Sequence, residues 1–358
     1  MRADPGPVLG LETSCDETAA ALVHGGVVLA HRVASQVPIH QRFGGVVPEV
    51  AARNHLLTAL PTIQAVLDDA GLQPAQLSGV AVTNRPGLIG ALLVGVQTAK
   101  ALAWVWKKPL IGVDHIHAHV WATFLRPPQE AGAPWPVPRL PFAALAVSGG
   151  HTSLYAVHAP DRFELLGRSL DDAAGEAFDK LAKLLDIPYP GGPNVERAAA
   201  LGNPARFRLP RGMLGRDDGA YSFSGLKTAA RLALADLPAD LPADERAQAT
   251  RDLCAAFQTA IVEQLVRVTL ANAQRRGLRD LVLAGGVAAN GALRRALAEA
   301  CQRHRLRFWP VPPAYCTDNG AMVAGLGEAL LHLGLRDDPR SLDALATGEV
   351  RRLAAAAL

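Results

Sequence analysis

The sequence predicts an α/β protein of two similar lobes with a cleft between them, and three observations support this fold class. At roughly 150 residues per domain, a chain of 358 residues divides more readily into two domains than one. Its residues are 49% hydrophobic and 19% charged, which is typical of globular rather than disordered chains. Strand hairpins followed by alternating helices and strands occur twice along the chain.

The first half opens with three short strands, and Gly25-Gly26 between the second and third is a hairpin signal. A helix is predicted over Pro48–Ala70, because proline suits the first helical turn and Gly71 suits the position after the end. The predicted strands of this half cover residues 8–11, 18–24, 27–33, 79–83 and 110–113, and further helices begin at Gly90 and near Asp114.

The segment from Pro127 to Pro141 contains six prolines and is predicted to be a surface linker. This organisation predicts an N-terminal lobe over residues 1–127. A C-terminal lobe with helical insertions follows over residues 138–340, and its final helix is a candidate to return to the first lobe. The predicted strands of this half cover residues 142–147, 152–158, 163–168, 280–284 and 306–311, and the predicted helices cover residues 173–186, 225–235, 244–276, 291–304 and 319–333.

Charge, cysteine content and hydropathy limit the class of protein. The chain carries 36 Lys and Arg against 33 Asp and Glu, a net charge of +3 that permits a nucleic-acid partner without requiring one. The cysteines form no C-x-x-C pair, which argues against a zinc knuckle and fits a reducing cytosol. We find no apolar signal region and no stretch close to the ~20 apolar residues of a membrane span. A soluble, cytoplasmic protein without a membrane partner is therefore expected.

Three loops have the composition of phosphate-binding turns: residues 13–17, 148–152 and 285–290. Glycine lets a backbone approach a ligand closely with its N–H groups pointing inward, and a helix N-terminus favours phosphate. One such loop alone is weak support for a nucleotide site. The three in this order resemble the actin and hexokinase superfamily, which implies a two-lobed actin-like ATPase (ASKHA) fold with duplicated ribonuclease H-like lobes and a central cleft.

A histidine pair indicates a metal site. His115 and His119 are four residues apart at the start of a predicted helix, so they share one face and can bind one ion. His117 lies off that face. Asp318 is a candidate third ligand, although it is also suited to capping the following helix. Two imidazoles and a carboxylate leave open coordination positions, which suits Fe²⁺ or Zn²⁺ acting on a ligand.

A set of motifs runs along nearly the whole chain. They read GLETSCDET at residues 10–18, GGVVPE at 44–49, HIHAH at 115–119, VSGGHT at 147–152, DDAAGEAFDK at 171–180, YPGGP at 189–193, SFSGLK at 222–227, AGGVAAN at 284–290 and CTDNG at 316–320. Together and in this order they resemble the TsaD family of tRNA threonylcarbamoyladenosine transferases in its bacterial form.

The resemblance implies metal ligands at His115, His119 and Asp318. It implies an adenine nucleotide, either threonylcarbamoyl-AMP or ATP, held by Ala146, Val147, Ser148, Gly149, Gly150, Asp179, Gly192 and Asn290. The implied reaction moves threonylcarbamoyl from threonylcarbamoyl-AMP to the N6 amine of the adenosine beside the anticodon, in tRNAs that read codons beginning with A, and releases AMP. The implied partners are tRNA, the paralogue TsaB, the small ATPase TsaE and the synthase that supplies the adenylate.

Three positions depart from the family's usual pattern. Arg85 stands where the family usually has glycine before Pro-Gly-Leu. Its side chain either adds a basic contact or lies in solvent, and solvent is the favoured expectation. His117 stands between the two metal histidines, where an acidic or small residue is common, so the metal's identity stays open. Glu196 replaces an aspartate found in many members, which leaves its part in holding the nucleotide ribose open.

Three other functions compete with this prediction. A sugar or acetate kinase of the same superfamily would share the glycine loops but would need no histidine pair. A non-catalytic paralogue would not need all three presumed metal ligands. A zinc peptidase of the H-E-x-x-H type needs a glutamate beside the first histidine, where this chain has Ile116.

Overall fold

The computed structural model describes residues 5–132, 134–212, 219–238 and 240–347. Within this part the chain packs as two compact units. Residues 5–35, 47–118 and 319–347 form the first unit, and the described residues of 36–46 and 119–318 form the second. The lobe bounds of 1–127 and 138–340 were drawn from element order along the sequence, and they stay a prediction.

The first unit contains a mixed five-stranded sheet. Its central strand β1 pairs antiparallel with β2 and parallel with β4, and β4 pairs parallel with β5. The order across the sheet is β3-β2-β1-β4-β5. The strands are β1 (Val8–Glu12), β2 (Glu17–His24), β3 (Val27–Ser35), β4 (Gly79–Arg85) and β5 (Leu110–Asp114).

The sheet of the second unit has the same topology. Its central strand β6 pairs antiparallel with β7 and parallel with β9, and the order across the sheet is β10-β9-β6-β7-β8. The order of strands and helices that occurs twice in the sequence therefore corresponds to two sheets with the same strand topology. The strands are β6 (Phe142–Val147), β7 (Thr152–Ala159), β8 (Arg162–Arg168), β9 (Asp280–Ala284) and β10 (Arg307–Pro310).

Most helices lie within two residues of their predicted bounds, and two were not predicted. The helix α1 has only four residues, too few for a periodic pattern, and α6 opens with Gly-Gly-Pro, which is typical of a turn. The helices are α1 (Val37–His40), α2 (Pro48–Ala70), α3 (Ile89–Trp106), α4 (His115–Trp121), α5 (Ala174–Leu184), α6 (Gly191–Ala199), α7 (Ser224–Ala235), α8 (Ala243–Arg275), α9 (Gly291–Arg303) and α10 (Gly320–His332).

Small residues let α10 lie directly on the first sheet. A Cβ added at Gly10 of β1 would come within 2.3 Å of the Gly320 carbonyl oxygen, so only glycine fits there. The neighbours Leu9 and Leu11 point to the opposite face, as strand alternation requires, and join the buried cluster under α2 and α3. The central strand is therefore covered on both faces.

Two helices, α3 and α8, are long and apolar enough to cross a membrane when judged by length and composition alone, so the expectation that no stretch comes close to such a span was wrong. The apolar window of α8 is 72% buried inside the protein, and that of α3 is 33% buried. Core helices of soluble proteins pass the same test, so these helices are weak grounds for membrane insertion. The architecture is that of a soluble α/β protein.

Candidate metal centre and nucleotide-binding loops

The helix α4, which contains both histidines, is fixed at its start by Asp114, the last residue of β5. Its Oδ1 accepts the backbone N–H groups of Ile116 (2.9 Å) and His117 (3.2 Å), which would otherwise lack partners in the first turn. The Arg85 Nε lies 3.4 Å from Asp114 Oδ2, and the Arg85 side chain is only 26% exposed. The expectation that Arg85 lies in solvent was wrong, because parallel pairing of β4 and β5 sets Arg85 beside Asp114.

Glu12 is the buried partner of the first histidine. Its Oε2 lies 3.1 Å from His115 Nδ1 and accepts the Thr83 hydroxyl at 2.5 Å, while its Oε1 accepts the Ser14 N–H at 2.5 Å. An ionised carboxylate can only accept hydrogen bonds, so His115 donates from Nδ1 and keeps the lone pair on Nε2. A carboxylate partner of this kind is the usual means by which proteins orient a metal-ligating imidazole.

The second histidine lies against the predicted carboxylate. His119 Nε2 is 3.1 Å from Asp318 Oδ1, and the two side chains are 1% and 23% exposed. Asp318 was also a candidate cap for the following helix. The structure assigns that cap to Asn319, whose Oδ1 accepts the Met322 N–H at 2.9 Å. Capping α10 therefore does not require Asp318.

One ligand atom each from His115, His119 and Asp318 lies within 4.8 Å of the other two. Donors bound to one ion at about 2.1 Å stand roughly 3–3.5 Å apart, so modest side-chain adjustment brings all three to a common cation. Two nitrogens and one carboxylate are also the donor set of open divalent-metal sites. The cluster therefore fits a divalent metal ion. His117 is not part of it.

The loop after β6 contains most of the predicted nucleotide contacts. Ala146 and Val147 are buried in the strand, and Ser148 begins the turn to β7 with its N–H donated to His151 O at 2.8 Å. Gly149 and Gly150 are exposed, and a Cβ at either would meet no described atom within 4 Å. The turn thus leaves room for a bulky group beside its backbone.

The other predicted contacts lie at helix N-termini of the same unit. Asp179 on α5 accepts the N–H of Gly191, the first residue of α6, at 2.9 Å. Asn290 caps α9 by accepting the Leu293 N–H at 2.9 Å, and its amide nitrogen donates to Gln258. A Cβ at Gly192 would meet no described atom within 4 Å. These side chains hold helix starts whose N–H groups attract anions.

Close backbone contacts join the loops at the carboxyl edge of the second sheet. The strands β6 and β9 are parallel neighbours, so the turns after Val147 and Ala284 leave the same edge. A Cβ at Gly285 would come within 2.4 Å of Val147 O, and Gly285 has φ +89°, which favours glycine. Glu196 on α6 stands where many family members have an aspartate. It accepts the Gly291 N–H at 2.7 Å and so connects α6 to α9.

Arg294 on α9 connects the loop after β9 to the loop that contains Asp318, and the sequence analysis did not single it out. Its Nε donates to Ala288 O at 2.5 Å, and its Nη2 donates to Val311 O at 2.7 Å and lies 3.1 Å from Cys316 Sγ. Cys316 is two residues before Asp318. In the sequence, nothing about a single arginine on a helix indicates that it joins two loops. A glutamate at the end of an apolar strand, such as Glu12, does indicate a buried carboxylate with a specific partner.

A buried histidine holds the backbone of Cys15, in the loop at residues 13–17. His55 on α2 is buried, with Nδ1 2.7 Å from the Thr18 hydroxyl and Nε2 2.9 Å from the Cys15 carbonyl oxygen. A carbonyl can only accept, so Nε2 is the donor. His55 therefore fixes the loop at residues 13–17 through its backbone.

Comparison with known proteins extends these observations. A model of the TsaD family, described as tRNA N6-adenosine threonylcarbamoyltransferase, matches residues 27–325. Curated proteins of that description are 50% identical over 341 residues in Sorangium cellulosum and 47% identical over 348 residues in Trichlorobacter lovleyi. These alignments cover 92% and 97% of this chain and 93% and 98% of the relatives.

Two solved structures of HypF resemble the fold at 14% identity. The T. kodakarensis protein gives a TM-score of 0.58 over 92% of this chain and 48% of that protein. A full-length HypF gives 0.57 over 96% of this chain and 47% of that protein. These likenesses and the two sheets of one topology confirm the two-lobed actin-like fold class.

Proposed function

Because the chain belongs to the family of tRNA N6-adenosine threonylcarbamoyltransferases, we propose that it takes the threonylcarbamoyl group from threonylcarbamoyl-AMP and releases AMP. The family match makes it a transferase that modifies the N6 amine of a tRNA adenosine, rather than a sugar kinase or a peptidase. The observation that supports the proposed chemistry best is the cluster of His115, His119 and Asp318. The modified adenosine is the one beside the anticodon, in tRNAs that read codons beginning with A.

The cluster would hold one divalent cation, with Fe²⁺ as the first proposal and Zn²⁺ as the alternative. Two imidazoles and one carboxylate with open positions are typical of non-haem Fe²⁺ sites, and three protein ligands also suit catalytic Zn²⁺. When bound, such a cation supplies Lewis-acid polarisation of a carbonyl group. Glu12 holds the His115 imidazole in the tautomer that ligation needs.

The loops of the second unit would hold the AMP part of the donor. Backbone N–H groups of Gly149 and Gly150, with the N-terminus of α6 at Gly192, would face the phosphate. Asp179 and Asn290 keep the starts of α6 and α9 in place. Ala146, Val147 and Ser148 form the strand end and turn from which this surface is built.

Positioning is the main contribution of the chain to the reaction. The N6 amine is a weak nucleophile because its lone pair enters the ring. It attacks the carbamoyl carbon, the bond from that carbon to the AMP phosphate oxygen breaks, AMP leaves with the electron pair, and the amine loses a proton to solvent. Holding both reactants in line supplies much of the acceleration. None of the described residues is required as a covalent nucleophile.

The partners proposed beside tRNA are TsaB, TsaE and a threonylcarbamoyl-AMP synthase, and the cytoplasm is the proposed location. The family resemblance supports them. The decisive experiment combines the purified chain with these companions, threonine, bicarbonate, ATP and tRNA, and measures modified adenosine by mass spectrometry with and without chelator. Modification that is lost with chelator and restored by Fe²⁺ but not by Zn²⁺ supports the whole proposal. Full activity of metal-free protein would defeat the metal assignment.

A Gly149→Ala variant tests the nucleotide loop independently of the metal. Its Cβ would lie in open space, so the protein should fold normally, while a bulky group could no longer approach the backbone closely. We expect an unchanged Tm and a dissociation constant for AMP raised at least tenfold. A matched control is Gly225→Ala in the first turn of α7, whose Cβ also meets no described atom within 4 Å and whose backbone is helical. Unchanged AMP binding in the Gly149 variant would remove this loop from the proposed site.

A further inference from the structure

Two turns of the second unit share one sequence pattern and one backbone conformation. QRRGLR at residues 274–279 connects α8 to β9, and QRHRLR at residues 302–307 connects α9 to β10. In each turn the fourth residue is left-handed, Gly277 with φ +65° and Arg305 with φ +58°. The leucine that follows is buried in both turns, so the arginines around it are turned outward.

The two turns lie side by side at one edge of the sheet. The strands β9 and β10 are parallel neighbours, and the Arg307 N–H donates to Arg279 O at 2.8 Å. Gln274 Nε2 also lies 2.9 Å from His304 Nδ1. Neighbouring strands are about 4.8 Å apart, so equivalent arginines of the two turns stand next to each other.

The turns concentrate positive charge in a small area, which we call the arginine edge. All of its arginines are exposed. Glu164 pairs with Arg276 at 2.7 Å, and Asp280 pairs with Arg307. In the described part of the chain, no carboxylate lies within ion-pair distance of Arg279, Arg303 or Arg305. The members of the arginine edge are Arg275, Arg276, Arg279, Arg303, Arg305 and Arg307.

We propose that the arginine edge binds backbone phosphates of the tRNA substrate, away from the adenosine that is modified. The planar guanidinium group of arginine matches phosphate with two parallel hydrogen bonds, and phosphate contacts fix the position of a nucleic acid without reading its sequence. The proposal rests on the tRNA-modifying activity, because tRNA is the polyanion that this chain must hold.

The arginine edge lies at the opposite end of the strands from the loops that are proposed to bind the nucleotide. It lies at the amino ends of β9 and β10, whereas the Gly285 loop and Asp318 follow their carboxyl ends. A strand of five residues spans roughly 16 Å, so the edge cannot touch a nucleotide held at the other end. A tRNA is large enough to contact both. The contacts should therefore lower the KM for tRNA and leave kcat at saturating tRNA unchanged.

The test compares the full-length chain, with its companion proteins, to the triple variant Arg279→Gln/Arg303→Gln/Arg305→Gln. The matched control, Arg32→Gln/Arg336→Gln/Arg340→Gln, removes the same charge from exposed arginines of the first unit. The affinity for tRNA is measured from 50 to 300 mM KCl, and kcat and KM are measured at one salt concentration. Thermal unfolding and AMP binding establish that each variant is folded.

We expect the slope of log affinity against log salt to become shallower by about 2–3 in the triple variant. Each lost phosphate contact reduces the magnitude of this slope by ~0.7–0.9. The KM for tRNA should rise with kcat retained, and the control should keep the wild-type slope. A slope and KM equal to those of the control would overturn the proposal and leave the edge a solvated surface. If the wild-type chain modifies no tRNA, the proposed function has failed rather than the arginine edge alone.

Discussion

Replacing Glu12 by glutamine tests whether a buried carboxylate orients the metal centre. The substitution keeps the size of the side chain and removes its charge. The amide oxygen can still accept the Ser14 N–H, but the amide nitrogen replaces Oε2, which faces the Thr83 hydroxyl and His115 Nδ1. An amide nitrogen cannot accept a hydrogen bond, so the contact from His115 Nδ1 is lost, whereas the Thr83 hydroxyl can turn to accept from the amide.

The expected magnitude follows from the one lost contact. A hydrogen bond to a charged group contributes ~1.5–3 kcal/mol, so the free energy of unfolding should fall by about 2 kcal/mol. For a unit of this size each kcal/mol corresponds to ~2–4 °C, which gives a Tm lower by roughly 4–8 °C. Loss of the orienting partner of a metal-bound histidine typically reduces metal affinity ~10–100-fold.

The assay measures Tm by calorimetry and metal affinity by titration of chelator-treated protein with Fe²⁺ under anaerobic conditions. Glu17→Gln is the matched control, because that carboxylate is more exposed and its hydrogen bond to the Ser35 hydroxyl does not involve the histidines. The reasoning is refuted if Glu12→Gln binds metal as tightly as the wild type. A lower Tm with unchanged metal affinity would show that Glu12 stabilises the fold without orienting His115.

Three further predictions concern single side chains. His119→Ala should lose the bound metal and its activity and should lower the Tm without preventing folding, because this side chain is 1% exposed. His117→Ala, on the same helix but outside the cluster, should keep the metal and the activity, and elemental analysis of the two variants decides. Arg294→Lys should lower the Tm by several degrees and raise the KM for the donor, since one compact ammonium group cannot reach the two carbonyl oxygens and the thiol that Arg294 contacts from Nε and Nη2. Arg295→Lys next to it should behave as wild type. Burial raises the pKa of Cys254 to about 11, so alkylation of this thiol at pH 8 should be about two orders of magnitude slower in native than in denatured protein; equal rates by mass spectrometry would contradict its burial.

Local signals in the sequence were sufficient for most of the elements. The helix α2 begins at Pro48 and ends before Gly71, as predicted. Gly25 and Gly26 form the turn between β2 and β3, with φ +56° and +75°. The helix α6 was missed because Gly-Gly-Pro is typical of turns, although proline fits the first turn of a helix. Each of these features depends on residues close in sequence.

The candidate site shows where local reasoning ends. The sequence by itself determined the order of strands and helices, the glycine loops, the helical spacing of His115 and His119, and the family. The tertiary structure decided which groups meet: Glu12 with His115, Arg85 with Asp114, and Asn319 rather than Asp318 as the cap of α10. Periodicity and capping act within a few residues, whereas these pairs depend on which strands are neighbours and in what register. Strand order and register are properties of the folded sheets, so a single sequence does not display them.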